Sequence, residues 1–166
     1  VRLIVKRNRA FIGLDPGKSG AIALIDDDTG EVLIHKWSPV RMENIQFLES
    51  AKNEYDRINA VIEKVNAWPG QGVSSSFKFG QAFGEQLMAL SAARIGFEEC
   101  TPGKWQRDLN LIEKDRSGKK KKVSKTEHKR NLFNRAKELM PDAKGLTLRT
   151  ADAVLLAIWV RRQHYR

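Results

Sequence analysis

Three carboxylates stand out by where they fall in the chain. Asp15 ends the apolar run Phe11-Ile12-Gly13-Leu14, Glu63 ends the run from Ile58 to Ile62, and Asp152 opens a last helical stretch. Each alone has an ordinary reading. Asp15, followed by Pro16, Gly17 and Gly20, fits a β-turn whose acid satisfies backbone N–H groups. Glu63 fits a strand end reaching solvent, and Asp152 is a favourable acid in a first helical turn. Their joint occurrence at element boundaries favours a site. Three carboxylates in one place repel one another and raise their pKa values unless cations fill the space. Mg²⁺ or Mn²⁺ suits such an oxygen-rich cluster. Two such ions roughly 3.5–4 Å apart activate a water and stabilise the leaving 3′-oxygen of a phosphodiester.

The pattern around these acids predicts the elements that carry them. Residues 9–15, 20–27 and 31–37 read as strands, with Asp27-Asp28-Thr29-Gly30 as a hairpin turn. Residues 41–55 carry Ile45, Leu48 and Ala51 at helical spacing. Residues 57–65 form a short, nearly continuous apolar run, as expected of a buried parallel strand. Residues 66–76, rich in Gly, Ser and Pro, predict a loop, and residues 77–95 a helix capped by Gly96. A short strand over 97–100 precedes a helix start at Thr101-Pro102. Helices follow over 125–139 and 150–163, the first ended by Met140-Pro141. Three antiparallel strands followed by crossover-connected ones make an α/β fold, a mixed five-stranded sheet with helices on both faces. That is a ribonuclease-H-like layout. If the fourth strand lies beside the first, Asp15 and Glu63 are neighbours at one edge, and a helix crossing that edge brings Asp152 to them.

The chain has 166 residues, enough for one domain with a substantial core. Its net charge is +10, and residues 101–135 hold 12 Lys or Arg against 4 Asp or Glu. Such a concentrated basic block points to a polyanion, with nucleic acid foremost. Residues 112–124 are expected to form a flexible basic loop. The one cysteine, Cys100, excludes an intramolecular disulfide and a cysteine-based zinc site, and the three histidines lack ligand spacing. No apolar run approaches the ~20 residues of a membrane span. Val1 to Arg9 lacks a signal-peptide core, and the absence of an initiator Met suggests numbering inside a longer product. An intracellular protein is the default expectation, cytoplasmic or nucleoid, with an organelle left open. Gly17-Lys18-Ser19 imitates the end of a nucleotide-binding P-loop, but that motif needs Gly where Ile12 stands, so no nucleotide cofactor is expected.

Ile12-Gly13-Leu14-Asp15-Pro16-Gly17, Val61-Ile62-Glu63-Lys64-Val65, Phe79-Gly80-Gln81-Ala82-Phe83-Gly84, Thr101-Pro102 and Ala151-Asp152-Ala153-Val154-Leu155-Leu156-Ala157 occur in this order over nearly the whole chain. The ordered set resembles RuvC-type Holliday-junction resolvases, closer to the divergent phage and organellar branch than to the typical bacterial enzymes. The resemblance implies a homodimer that cuts four-way DNA junctions with two symmetric nicks, using Mg²⁺ or Mn²⁺. It puts Asp15, Glu63 and Asp152 in the metal site and matches Lys125, in Val123-Ser124-Lys125-Thr126, to a lysine that reaches the scissile phosphate. One departure concerns the fourth acid or histidine expected a few residues before the last Asp. Thr147, Leu148, Arg149 and Thr150 fill that space, and Asp142 is a distant substitute. Arg149 either contacts the scissile phosphate or is a surface residue, and the sequence offers no nearby fourth ligand for the second metal position.

Lys119, Lys120, Lys121 and Lys122, followed by Lys125, Lys129 and Arg130, fit a basic tip that attracts a DNA backbone. Lys78, Lys104, Arg107 and Arg116 are weaker candidates. Trp68 and Phe77 flank the loop after Glu63, where an aromatic either stacks on an unpaired base or packs under the loop. Gly80 and Gly84 leave one helix face narrow, for a second protomer or for packing on the sheet. Two other functional classes stay open. One is a branched-DNA-binding module without catalysis. The other is an ATPase of the actin and sugar-kinase kind, for whose two lobes the chain is too short.

Overall fold

The computed structural model describes residues 6–17, 19–66, 70, 72–112, 116–119 and 121–166. Strands β1 (Arg7–Asp15), β2 (Ala21–Asp26) and β3 (Val32–Lys36) precede helix α1 (Arg41–Glu54) and strand β4 (Tyr55–Glu63). Helix α2 (Val73–Ala92), strand β5 (Phe97–Cys100) and helices α3 (Pro102–Asp108), α4 (Lys125–Leu139) and α5 (Ala151–His164) complete the chain. The five strands make one sheet in the order β3-β2-β1-β4-β5. β1 pairs with β2 antiparallel and with β4 parallel, and β4 pairs with β5 parallel. This is the ribonuclease-H-like arrangement expected from the element order. Among the described residues no helix is long and apolar enough to cross a membrane.

Alternation along the strands builds two cores, one on each face of the sheet. Phe11, Ala21, Ala23, Ile25 and Val61 pack against α5, with α3 and α4 outside it. Ala10, Ile12, Leu14, Ile22, Leu24, Ala60 and Ile62 pack under α1 and α2. With both faces covered, β2 is buried at every position. Helix α5 lies between sheet and outer helices, so Ala151 to Val160 are buried without interruption.

Gly13 lets α5 lie directly on β1. A Cβ there would stand 2.3 Å from the Ala153 carbonyl oxygen and 2.4 Å from the Ala157 nitrogen. No side chain fits such a gap, so the glycine sets how closely α5 approaches the strand that ends in Asp15.

Four expectations differ from the structure. Tyr55 begins β4 rather than ending α1; its ring is buried and its hydroxyl donates to Asp26 at 3.0 Å. The inward residues of α1 are Asn44, Leu48 and Ala51, with Ile45 only partly buried. Asn44 is accommodated because it accepts from Ser38 N–H at 2.8 Å, donates to the Ser38 carbonyl at 2.9 Å and bonds His35. Helix α2 starts at Val73, so Ser74, Ser75 and Ser76 are helical rather than loop. It ends at Ala92 and turns through Arg94 in the left-handed region at φ 55°, so Gly96 is not its cap. The Ile95 N–H returns to the Leu90 carbonyl and closes that end instead.

Candidate metal centre

The parallel register places Leu14 opposite Ile62, so the ends of β1 and β4 lie side by side and bring Asp15 and Glu63 to one edge. α5 begins over the same edge and adds Asp152. All three acids line one cleft of about 590 Å³, together with Ser19, Phe79, Lys125, Lys129 and Arg149.

Each acid is held by a different neighbour. Asp15 closes the turn after β1, its Oδ1 accepting from the Gly17 N–H at 3.1 Å. The ordinary turn role is therefore real, but it engages one oxygen and leaves the group lining the cleft. Gly20 seals the turn, its N–H donating to the Gly17 carbonyl at 2.7 Å where a Cβ would strike the Asp15 carbonyl oxygen at 2.0 Å. Buried Gln86 of α2 donates to that same Asp15 carbonyl at 2.9 Å. Glu63 accepts from the indole N–H of fully buried Trp105 at 2.9 Å. Lys129 of α4 bonds Asp152 Oδ2, while Asp152 Oδ1 is buried without a partner.

The electrostatics follow from this geometry. Burial, and then the charge of Asp152, pushes Asp15 up to about 6 against the pull of Lys129 and the Gly17 N–H. Burial, and then Asp15, pushes Glu63 up to about 7 despite the Trp105 hydrogen bond. Burial disfavours the Lys129 charge, but Asp152, Asp15 and Glu63 outweigh it and raise its pKa. The cleft thus sets three acids against Lys125, Lys129 and Arg149, and burial with the acids' mutual repulsion still keeps Asp15 and Glu63 raised. An orphaned, buried carboxylate oxygen beside two carboxyls raised by desolvation fits an oxygen-seeking divalent cation. The acids are not drawn into a finished ligand shell. Among the described residues no three His, Cys, Asp or Glu side chains stand close enough to form one.

The other sequence candidates divide by position. Lys125 and Arg149 line the cleft with the acids and are exposed. Lys129, read from sequence as a backbone contact, lies nearest the acids, one helical turn beyond Lys125. Phe77 and Lys78 are exposed on α2, away from the acid contacts, although Phe79 reaches the cleft. Lys104 sits with its ammonium 5.3 Å from the Trp159 ring centroid, and Arg107 is exposed on the same short helix. Lys119, Lys121 and Lys122 are exposed and line no part of the cleft. Trp68 and Lys120 lie outside the described residues.

Trp105 and Gln86 escaped the sequence reading. Trp105 follows a recognisable helix start, but nothing in its type or spacing says that its N–H meets Glu63. Gln86 was hidden inside an apolar helical pattern whose inward face also includes Ala89 and Leu90.

No protein-family model matches the chain, and no curated protein matches it in sequence. Solved structures do match. Thermus thermophilus RuvC in complex with a Holliday junction substrate superposes with a TM-score of 0.61 at 14% identity, over 93% of this chain and 96% of that one. A second Thermus thermophilus RuvC structure gives 0.58 at 15% identity over the same shares. At such identity the likeness is one of fold: the chain has the ribonuclease-H-like fold of RuvC.

Proposed function

We propose that this chain is a structure-selective DNA endonuclease that resolves four-way junctions by paired symmetric nicks, dependent on Mg²⁺ or Mn²⁺. The observation that carries the reading is the convergence of Asp15, Glu63 and Asp152 on one cleft edged by Lys125, Lys129 and Arg149. The fold supports it, since a protein of the same fold has been seen with a Holliday junction substrate.

Asp15, Glu63 and Asp152 would hold the metal. When bound, it supplies an activated water and charge neutralisation at a phosphodiester. Trp105 holds one oxygen of Glu63 and so aims the other. Lys129 carries a charge held firmly by three acids, and stays cationic to stabilise negative charge growing on a phosphate. Arg149 and Lys125, at the rim, attract the DNA backbone. The remaining basic residues add attraction that falls steeply with salt.

The same reading includes a homodimer. Val73, Phe77 and Met88 of α2 are exposed by 88%, 72% and 66%. Gly80 and Gly84 on that helix have no atom within 4 Å of an added Cβ, which removes their packing on the sheet as an explanation. Sedimentation at micromolar concentration is expected to give a dimer, and a monomer with and without junction would refute this part.

A non-catalytic branched-DNA-binding module is the second reading, favoured by the lack of a closed three-acid ligand set among the described residues. One assay separates the two. Labelled four-way junction, linear duplex, single strand and RNA–DNA hybrid are incubated with and without Mg²⁺ or Mn²⁺. The endonuclease reading expects paired nicks in the junction only, and only with metal. Tight junction binding without product at any metal concentration would leave the binding module.

A further inference from the structure

A second cleft, of about 540 Å³, opens beside the acid-lined one and shares Ser19, Leu148 and Arg149 with it. Its other wall is the end of edge strand β3, Lys36 and the adjoining Trp37. The backbone fixes this wall against the turn that carries Asp15. Lys36 lies opposite Ala21 in the sheet register, and the Trp37 N–H donates to the Gly20 carbonyl at 2.9 Å. The second cleft therefore continues the first, with its Lys36–Trp37 wall fixed to the turn that carries Asp15.

Its chemistry differs. Among the described residues no carboxylate lines it. Leu148 is half exposed, and Trp37 is partly buried against the apolar layer under α1. Lys36 and Arg149 are exposed, and neither side chain has an ion-pair or hydrogen-bond partner among the described residues. An indole and a leucine between two free cations match a base face between its flanking phosphates. The size suits a single flexible group rather than a paired duplex.

We propose that this cleft binds a nucleotide neighbouring the cut phosphate, its unpaired base against Trp37 and Leu148 and its phosphates against Lys36 and Arg149. The inference rests on the endonuclease reading and adds a source of selectivity. A strand at a branch point presents an unpaired base at little cost, whereas a continuous duplex must first unstack one.

The test uses metal-free wild-type protein and four-way junctions carrying 5-iododeoxyuridine at single positions from two nucleotides before to two after the cut. Irradiation followed by peptide mapping is expected to cross-link Trp37 from one or two adjacent positions. In parallel, Lys36→Ala, on an exposed edge, is expected to raise KM for the junction about three- to tenfold, leave kcat within about twofold, and lower the salt slope of binding by about 1. Circular dichroism checks its fold. No Trp37 adduct from any position, with unchanged KM in Lys36→Ala, would overturn the subsite while the endonuclease reading stood on wild-type cutting. Failure of the wild type to bind or cut any of the DNAs would remove both.

Discussion

The two ends of the sheet both bury acids, on opposite terms. At the end away from the cleft, Asp26 is 2% exposed and fully engaged. It accepts from the N–H groups of Asp28 and Thr29 at 2.9 Å each, from Arg7 at 2.6 Å and from the Tyr55 hydroxyl at 3.0 Å. Burial works to raise its pKa, but Thr29, Arg7 and Tyr55 win and hold it at about 2. Its neighbour Asp27 is bound by Arg161 at 3.1 Å and by the Tyr165 hydroxyl. At the cleft end, Asp15 and Glu63 have one hydrogen-bond donor each among the described residues and sit at about 6 and 7. Burial raises the acids at both ends; what separates them is that Asp26 has donors and a cation to offset it, whereas Asp15 and Glu63 have few donors and the like charges of neighbouring acids. A satisfied acid stitches turns and helix ends together, and an under-satisfied one waits for a cation.

The largest test of this contrast is on stability. Asp26→Asn turns a donor toward Arg7 and the Tyr55 hydroxyl, and is expected to cost about 2–4 kcal/mol in urea unfolding. Asp15→Asn is expected to leave metal-free stability at pH 8 unchanged or raise it. Equal losses at the two positions would break the contrast.

The pH dependence comes next. The folded values of Asp15 and Glu63 lie above the unfolded ones near 4. Their contribution to stability is therefore full below about pH 4 and is lost as pH rises through about 6 and 7, about 3 kcal/mol for each group and on the order of 6 kcal/mol in all. Asp26 behaves oppositely: its contribution is present above about pH 4 and is lost as pH falls through about 2. Metal-free melting curves are expected to show the first loss, and Mn²⁺ above neutral pH is expected to restore it. A flat metal-free profile between pH 4 and 7 would remove the electrostatic basis of the cleft.

Trp105→Phe sharpens the contrast further by taking away the one donor of Glu63. Since that hydrogen bond lowers the Glu63 pKa, the acid limb of the rate profile is expected to move to higher pH, with about a tenfold loss of rate below it. Lys121→Ala with Lys122→Ala, both outside the cleft, is expected to do least. Junction binding weakens a few-fold and the salt slope falls by about 2, with kcat unchanged.

Much of this was legible in the chain. The short apolar run ending at Glu63 announced a buried parallel strand, whereas its place beside β1 was a condition that the observed pairing of the two strands meets. The Gly13-Leu14-Asp15-Pro16-Gly17 stretch marked a strand stop with an acid at its tip. What was hidden depends on tertiary contact. Tyr55 extends the helical spacing of Ile45, Leu48 and Ala51, and only its bond to Asp26 explains why it leads β4. Lys125 and Lys129 share one side of α4, and the docking of that helix on α5, not its sequence, decides that Lys129 reaches Asp152. The role of Gly13 shows only in the α5 backbone packed against it.

The most direct measurement compares wild type and Asp15→Asn on a labelled four-way junction with Mg²⁺, with binding followed separately. Cutting is expected to fall by about 1000-fold or more with junction affinity within a few-fold of wild type. An Asp15→Asn protein that nicks the junction at the wild-type rate would contradict a metal centre built on these three acids.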